Sequence, residues 1–146
     1  MSDPDGDPDL AAKVAAGMYA LDKAARGLGI RIEEVAQGHA IMTMTVRDDM
    51  LNSHGTCHGG FLFALADTAF AYACNSHNRA TVAAGCSITY LKPVRQGAEL
   101  KAICQRQVLN GRSGVYDTRI LDDGTVVALF RGHSREIRGA SAPEII

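Results

Sequence analysis

The stretch HGTCHGGFLFALADTAFAYACNSHN, residues 54–78, predicts a long helix that carries a carboxylate in its middle. Asp67 is the one residue between Phe61 and Ala73 that ionises at neutral pH. Apolar residues recur around it at helical spacing, at Leu62, Leu65, Ala66, Ala69, Phe70 and Ala73. The opposite face is also apolar or small, so we expect the helix to be buried on nearly every side.

The sequence on either side of this helix predicts a single β-sheet. Helical spacing from Leu10 to Leu21 predicts a first helix that ends at Gly27 or Gly29. Alternating apolar residues predict two strands before the central helix and four after it, near residues 30–35, 40–46, 82–90, 98–104, 114–121 and 125–137. Asn-Gly and Asp-Gly pairs mark the turns that flank the fifth strand. These elements fit an α+β fold in which the sheet packs around the central helix.

The composition fits one globular domain, which we place at residues 9–146 behind a disordered acidic tail at residues 1–8. The net charge of -1 argues against a nucleic-acid or membrane-surface partner. The acidic first residues are the opposite of a secretory leader, so we expect a cytoplasmic protein. The four cysteines fit neither a zinc site nor a disulfide framework, so we expect free thiols, with Cys86 as a small core residue.

Asp67 has three structural explanations besides an active-site role. It lies about nine residues inside the predicted helix, beyond the reach of a capping interaction. It could form an ion pair with an arginine elsewhere in the chain, or point into solvent past the edge of the helix. A carboxylate buried without such a partner has a raised pKa, which is a property of catalytic groups. The residues alone leave these alternatives open.

Gly59 and Gly60 lie where the helix begins, directly after His58. The N–H groups of a first helical turn have no partner inside the helix, so they can bind an oxyanion. A tight turn is the alternative explanation for the two glycines. Gly59 and Asp67 are eight residues apart, or about 12 Å along a helix, so one carbonyl group cannot touch both in a single chain. A site that uses both therefore requires two subunits.

The pattern N-x5-HGG-x6-D runs through residues 52–67. Together with SITYLKPV (87–94), RSGVYD (112–117) and VALFRGHSREI (127–137), it resembles the hotdog-fold acyl-CoA thioesterases, most closely those associated with phenylacetic acid degradation. The resemblance implies an antiparallel sheet wrapped around a long central helix, and a homodimer that commonly pairs into a homotetramer. It also implies active sites at the subunit interface, and no cofactor, since coenzyme A is part of the substrate.

The resemblance assigns a role to each residue of the pattern. Gly59 would offer its backbone N–H to the thioester carbonyl. Asp67 of the other subunit would activate water as a general base, or attack the carbonyl itself. Asn52 would orient the water or the thioester, and His58 would support the turn at the helix start.

The resemblance is less definite about the rest of the substrate site. Some relatives hold the water with a hydroxyl side chain, but the matching positions here are Ala71 and Ala83, so Thr68 or Ser87 could replace it. An aromatic acyl group such as phenylacetyl is favoured. Besides Gly60 and Thr68, four side chains either line its pocket or belong to the core: Met50, Phe61, Phe63 and Tyr90. Five basic residues either hold the phosphates of coenzyme A or are ordinary surface charges: Lys92, Arg95, Arg112, Arg131 and Arg135.

Other functions have weaker support. No metal is expected, because no second cluster completes a tetrahedral site with the residues His54, Cys57, His58 and His77. Cys57 has no evident base to activate it, so we expect it to be inert. A hotdog hydratase would need a histidine on the active-site helix, and none lies between Gly59 and Ser76. A non-catalytic acyl-CoA-binding module or regulator on the same fold is the remaining alternative.

Overall fold

The computed structural model describes residues 8–142, and its elements follow the predicted order. The helices are α1 (Pro8–Leu21), α2 (Lys23–Gly27) and α3 (Gly59–Cys74), and one 3-10 turn spans Asp48–Met50. The strands are β1 (Arg31–Ala36), β2 (His39–Thr45), β3 (Thr81–Tyr90), β4 (Glu99–Asn110), β5 (Ser113–Asp122) and β6 (Thr125–Glu136). The predicted central helix and the strands on both sides of it are confirmed.

The strands form one antiparallel sheet in the order β1-β2-β4-β5-β6-β3. After α3 the chain crosses to the far edge of the sheet, where β3 pairs with β6. It then returns so that β4 lies beside β2, and the β5 and β6 hairpins fill the space between. The strand that follows the central helix in sequence is therefore an edge strand.

The core lies between α3 and the inner face of the sheet. Every second side chain of a strand points toward the helix, and the buried ones include Ala40, Met42, Met44, Leu100, Ala102, Cys104, Tyr116 and Ile120. The predicted apolar stripe of α3 is buried against them, at Leu62, Leu65, Ala66, Ala69, Phe70 and Ala73. Burial of one large apolar side chain contributes about 1.5–3 kcal/mol. This face therefore fixes the position of α3 and of every group it carries.

Within residues 8–142, the opposite face of α3 is only partly covered. Ala64, Asp67, Thr68 and Ala71 follow helical spacing along it and are only half-buried. The expectation that the helix is buried on nearly every side is wrong for this stripe, because the sheet reaches α3 from one side. The stripe is apolar apart from Asp67 and Thr68, which makes it a surface that another protein surface can cover.

The first helical region breaks at Asp22 instead of running on to Gly27 or Gly29. Asp22 Oδ1 accepts a hydrogen bond from the Ala25 N–H at 3.0 Å, so Asp22 caps a separate helix, α2. Asp22 Oδ2 accepts a second hydrogen bond from the Tyr72 hydroxyl at 3.0 Å. The break therefore gives α3 a polar tie to the N-terminal helices.

The turn between β5 and β6 has the predicted geometry. Asp123 and Gly124 have φ angles of 48° and 80°, and two consecutive positive values are typical of a type I′ hairpin turn. This turn sets the register in which β6 continues from β5.

The predicted tail at residues 1–8 lies outside the described residues, apart from Pro8, where α1 begins. The tail and the domain limits of 9–146 therefore stay predictions. Within residues 8–142, no helix is long and apolar enough to cross a membrane.

Candidate active site

The loop before α3 is held by the side chain of Asn52. Its Oδ1 accepts hydrogen bonds from the His54 N–H at 2.9 Å and the Thr56 N–H at 3.2 Å. Its Nδ2 donates to the Thr56 hydroxyl at 3.1 Å. An amide that bonds the backbone two residues on is a recognised way to fix a turn. Asn52 therefore shapes the loop that delivers the chain to the start of α3.

His58 is the N-cap of α3 and engages one of the two glycine N–H groups. Its Nδ1 accepts a hydrogen bond from the Gly60 N–H at 2.9 Å. An imidazole nitrogen that accepts is unprotonated, so the ring proton of a neutral His58 lies on Nε2. Within residues 8–142, no acceptor lies within hydrogen-bond distance of the Gly59 N–H. The helix start thus leaves the Gly59 donor available, as its predicted role requires.

Tyr90, on the edge strand β3, packs directly on Gly59. Its hydroxyl donates to the Gly59 carbonyl oxygen at 2.9 Å. A Cβ at Gly59 would lie 2.8 Å from the nearest carbon of the Tyr90 ring. A side chain at Gly59 would therefore displace the Tyr90 ring or shift the turn, a constraint that the sequence analysis did not find.

A cleft of about 460 Å³ opens beside this turn. It is lined by Asn52, Cys57, Gly59, Leu62, Tyr90, Leu91, Lys92, Pro93 and Val94. The cleft brings four predicted site residues together, namely Asn52, Gly59, Tyr90 and Lys92. Leu91 is about half exposed (51%) and adds an apolar wall that the sequence analysis missed.

Asp67 lies farther along α3 and does not line this cleft. Its side chain is half-buried, and the Cys86 thiol of β3 donates to its Oδ1 across 3.9 Å. Burial raises the pKa of the Asp67 carboxyl, and the Cys86 thiol opposes that rise. Of the explanations left open by the sequence, a helix cap is excluded, because Asp67 sits on the third turn of α3.

Cys86 lies at the margin of the core, so its assignment as a core residue is wrong.

The candidate hydroxyl groups differ in their position relative to Asp67. The Thr68 hydroxyl donates to the Ala64 carbonyl oxygen at 2.6 Å, which leaves its lone pairs able to accept. Ser87 follows Cys86 in β3, so its side chain points to the opposite face of the sheet. There it lines an outer groove together with Asp117 and Arg131. Ser87 is therefore turned away from the Asp67 of its own chain.

The predicted phosphate-binding residues fall in three places. Lys92 lines the cleft, and the backbone of Arg95 forms an isolated antiparallel β-bridge with Thr56 in the loop before α3. Arg112 lies in the turn between β4 and β5. Arg131 lies on the outer face of the sheet, where its guanidinium donates to both carboxylate oxygens of Asp117 at 2.6 and 2.7 Å. That pairing holds the pKa of the Asp117 carboxyl below its usual range.

The aromatic and apolar pocket candidates also separate. Met50 is fully buried and belongs to the core. Phe61 is half-buried beside the His58 ring, with the ring centroids 6.1 Å apart. Phe63 contacts Phe130 of β6 with ring centroids 5.4 Å apart. Phe61 and Tyr90 are thus the two aromatic candidates that lie at the helix start.

The residues considered for a metal or a nucleophile do not form such a site in the described part of the chain. No group of three or more His, Cys, Asp or Glu side chains within residues 8–142 is arranged to hold a metal ion. Burial raises the pKa of the Cys57 thiol to about 11, so it stays protonated at neutral pH. All four cysteines are free thiols, as predicted.

The chain was compared with known proteins. Residues 54–129 match the family model of the thioesterase superfamily, a match that runs from the loop before α3 into β6. The chain belongs to the thioesterase superfamily. The predicted hotdog fold and the predicted class of enzyme, a thioester hydrolase, are confirmed by this match and by the relatives below.

Three relatives of this thioesterase are informative. The acyl-coenzyme A thioesterase PaaI of Escherichia coli (strain K12) is 48% identical over 131 residues, which cover 89% of this chain and 94% of the relative. The solved structure of E. coli PaaI, a protein of the phenylacetic acid degradation operon, matches with a TM-score of 0.90 at 47% identity, covering 91% of this chain and 97% of that one.

Two further solved structures are more distant. The TT0310 protein of Thermus thermophilus has a TM-score of 0.77 at 39% identity and covers 80% of this thioesterase and 98% of its own chain. A hypothetical thioesterase of Streptococcus pneumoniae TIGR4, solved with coenzyme A, has a TM-score of 0.72 at 26% identity. The match covers 75% of this chain and 90% of that one.

Proposed function

We propose that this thioesterase hydrolyses acyl-CoA thioesters, with aromatic acyl groups such as phenylacetyl as its preferred class. The E. coli relative is named an acyl-coenzyme A thioesterase of the phenylacetic acid degradation operon, and the S. pneumoniae relative was solved with coenzyme A. The observation that carries the proposal is the pairing of an available Gly59 N–H in a cleft with a half-buried carboxylate on the same helix.

The proposed chemistry divides between the two ends of the thioester carbonyl. The Gly59 N–H, at the positive end of the α3 dipole, donates to the carbonyl oxygen and stabilises the negative charge that develops there. Asp67 takes a proton from the attacking water or attacks the carbonyl carbon itself. Both routes need the carboxylate form, which partial burial makes more basic and more reactive. Asn52 orients the water or the thioester from the loop, and Thr68 offers lone pairs to the water.

The proposed site is completed by a second copy of the chain. Gly59 and Asp67 are separated by eight residues of α3, or about 12 Å, so one carbonyl cannot reach both in one chain. The edge strand β3 presents exposed apolar residues at Val82 and Tyr90, and an edge strand leaves backbone groups free to pair. We propose that β3 pairs with β3 of a second copy, and that the half-exposed stripe of α3 becomes buried in this homodimer. Two such dimers would form a homotetramer.

The phosphates of coenzyme A are placed, in this proposal, beside the cleft. Lys92 lines the cleft and Arg95 is tied to its loop, so these two are the nearest candidates for binding phosphate. Arg131 already satisfies Asp117 on the outer face. It would have to give up that pair, or serve a neighbouring copy. We also propose that the enzyme works in the cytoplasm, because its free thiols suit a reducing compartment. We propose as well that it needs no bound cofactor.

The decisive experiment measures thiol release from a panel of acyl-CoAs by the wild type, Asp67→Asn and Asp123→Asn. Asp123→Asn is the matched control, because it makes the same change in the β5–β6 turn, where asparagine accepts the positive φ. We expect the wild type and the control to hydrolyse phenylacetyl-CoA, and Asp67→Asn to lose about 100-fold or more, the usual value of a general base. No thiol release from any acyl-CoA would refute the activity and favour a binding module, while full activity of Asp67→Asn would refute the role of Asp67.

A further inference from the structure

The Asp67 carboxylate is contacted by a thiol from a different element of the fold. Cys86 of β3 donates its S–H to Asp67 Oδ1 across 3.9 Å, and the two residues are nineteen positions apart in sequence. The distance is long but within the range of hydrogen bonds to sulfur. A thiol is a weak donor, and it can satisfy one carboxylate oxygen without neutralising the group as a cation would.

We propose that Cys86 is a positioning residue of the thioesterase site, whose S–H holds Oδ1 of Asp67 and leaves Oδ2 for the water or the thioester. The proposal rests on the proposed function, because it acts through the carboxylate assigned there. It adds a residue that neither the family pattern nor the spacing of the helix indicates.

The local structure of β3 aims Cys86 at the helix. The pairing of β3 with β6 has an irregularity between Ala83 and Gly85, immediately before Cys86. Such bulges redirect the side chains that follow them and are enriched next to active sites. Cys86 pairs with Gly132 of β6, so no side chain from β6 lies between it and α3.

Gly132 is needed for this arrangement because the Phe70 ring occupies the space beside it. A Cβ at Gly132 would lie 2.7 Å from that ring. The ring and the empty position on β6 leave the Cys86 thiol against the half-exposed stripe of α3, where Asp67 lies. Cys86 is half-buried there, as Asp67 is.

The thiol is suited to donating rather than to attacking. Burial and the neighbouring Asp67 carboxylate both raise the pKa of Cys86, so it keeps its proton at neutral pH. Burial raises the pKa of the Cys74 thiol, at the end of α3, to about 12, and the charges of Asp67 and Cys86 add smaller contributions. Cys74 is therefore also uncharged at neutral pH. The S–H of Cys86 favours the ionised form of Asp67 against the effect of burial.

The test compares the pH dependence of kcat/KM for the wild type, Cys86→Ala, Cys86→Ser and Cys104→Ala. The acid limb of this profile reports the pKa of the essential carboxylate in the free enzyme. Loss of the donor in Cys86→Ala should move the acid limb up by about half a pH unit, the size of a weak hydrogen bond to a charged group. It should also lower kcat more than it changes KM. Cys86→Ser keeps a donor, but on a shorter bond to Cβ, so its acid limb should lie between those of Cys86→Ala and the wild type.

Cys104→Ala is the matched control for the loss of a thiol. Cys104 is fully buried on β4 and touches the core rather than Asp67, so its removal should lower the Tm without moving the acid limb. An acid limb that stays in place in Cys86→Ala, or that moves equally in Cys104→Ala, would overturn the proposal. An acid limb of Cys86→Ser that lies above that of Cys86→Ala would overturn it as well.

A second measurement does not depend on turnover. The 13C resonance of the Asp67 carboxyl, assigned by its loss in Asp67→Asn, is titrated in the wild type and in Cys86→Ala. A higher titration midpoint in Cys86→Ala supports the contact even if no acyl-CoA is hydrolysed, and equal midpoints overturn it. Failure of the proposed function would appear as an absence of thiol release by the wild type, which this titration distinguishes from failure of the Cys86 proposal.

Discussion

The two ends of α3 treat their unpaired backbone groups in opposite ways. At the end, Asn75 is buried, and its side chain makes hydrogen bonds with the Ala71 and Thr81 carbonyls, the Thr81 N–H and the Ser141 hydroxyl. Ser76 is also buried and bonds the Ala73 carbonyl and the Gly38 N–H, both at 2.8 Å. The bonds to the Ala71 and Ala73 carbonyls close the helix end itself, and those to Thr81, Ser141 and Gly38 tie it to neighbouring segments.

The start of α3 lies at the surface and leaves the backbone N–H of Gly59 available to a ligand. His58 engages the Gly60 N–H and Tyr90 engages the Gly59 carbonyl, while the N–H of Gly59, which lines the cleft, is left available. Helix ends that hold a fold together satisfy their polar groups inside the protein, because an unsatisfied buried group is costly. An end that binds substrate must leave a group for it. The comparison therefore separates a structural end from a functional end on the same helix.

The largest effect is expected at the functional end. Gly59→Ala places a Cβ 2.8 Å from the Tyr90 ring, so either the Tyr90 side chain loses its bond to the turn or the turn shifts with its N–H. We expect kcat to fall by about 100-fold, the usual cost of losing an oxyanion donor. Thiol release measures this. Gly27→Ala is the control, since a Cβ there meets nothing within 4 Å, and Tyr90→Ala combined with Gly59→Ala should recover part of the rate. Full activity of Gly59→Ala would remove the functional half of the comparison.

The structural end should respond in stability instead. Asn75→Ala leaves the Thr81 N–H and the Thr81 carbonyl without the side chain that bonds them, so we expect the free energy of unfolding to fall by about 2–4 kcal/mol. Denaturant unfolding measures this, with the exposed Asn110→Ala as control. The kcat/KM of the folded enzyme should stay within about twofold of wild type. A large loss of kcat in folded Asn75→Ala would show that the two ends are coupled.

Asp67, between the two ends, should weaken the fold in order to serve the site. Burial raises its pKa above the unfolded value, so folding favours the protonated form, and the ionised form costs stability above the folded pKa. Asp67→Asn removes that cost, and we expect a higher Tm at pH 7. The difference should vanish near pH 3, where the carboxyl is protonated in both states. Thermal unfolding at the two pH values measures this, and a lower Tm of Asp67→Asn at pH 7 would contradict it.

The smallest effect is expected from the hydroxyl that steadies the functional end. Tyr90→Phe keeps the ring on Gly59 and removes the hydrogen bond to the Gly59 carbonyl oxygen. We expect kcat to fall by about fivefold with KM nearly unchanged, because one neutral hydrogen bond is worth about 1 kcal/mol. Steady-state kinetics measure this. An increase in KM alone would instead place the hydroxyl on the substrate.

The sequence predicts the elements of this fold well because its patterns are local. The apolar stripe of α3, the alternation of the strands and the Asp123-Gly124 turn each depend on residues within one element. Asp67 and Gly59 stand out for the same reason, since a lone carboxylate in an apolar run and a glycine pair after His58 are visible in one window.

The contacts that complete the site are not local, and the sequence does not reveal them. Tyr90 reaches Gly59 across thirty-one positions, and Cys86 reaches Asp67 across nineteen. Both depend on the register of β3, which the irregularity between Ala83 and Gly85 alters. The alternation of β3 correctly predicts a strand, but it suggests a core position for Cys86 because it carries no sign that β3 is at the edge.

The order of the strands also constrains how the protein can be made. β3 has β6 as its neighbour in the sheet, and β6 is the last strand within residues 8–142. During synthesis, α3 and β3 emerge well before residues 125–136, so β3 has no strand to pair with while β4 and β5 are being synthesised. Pairings between segments so distant in sequence form late. We expect Cys86 and Tyr90 to reach their places beside α3 only when β6 has left the ribosome. In a nascent chain that stops after β5, we expect neither the contact of Cys86 with Asp67 nor that of Tyr90 with Gly59 to form.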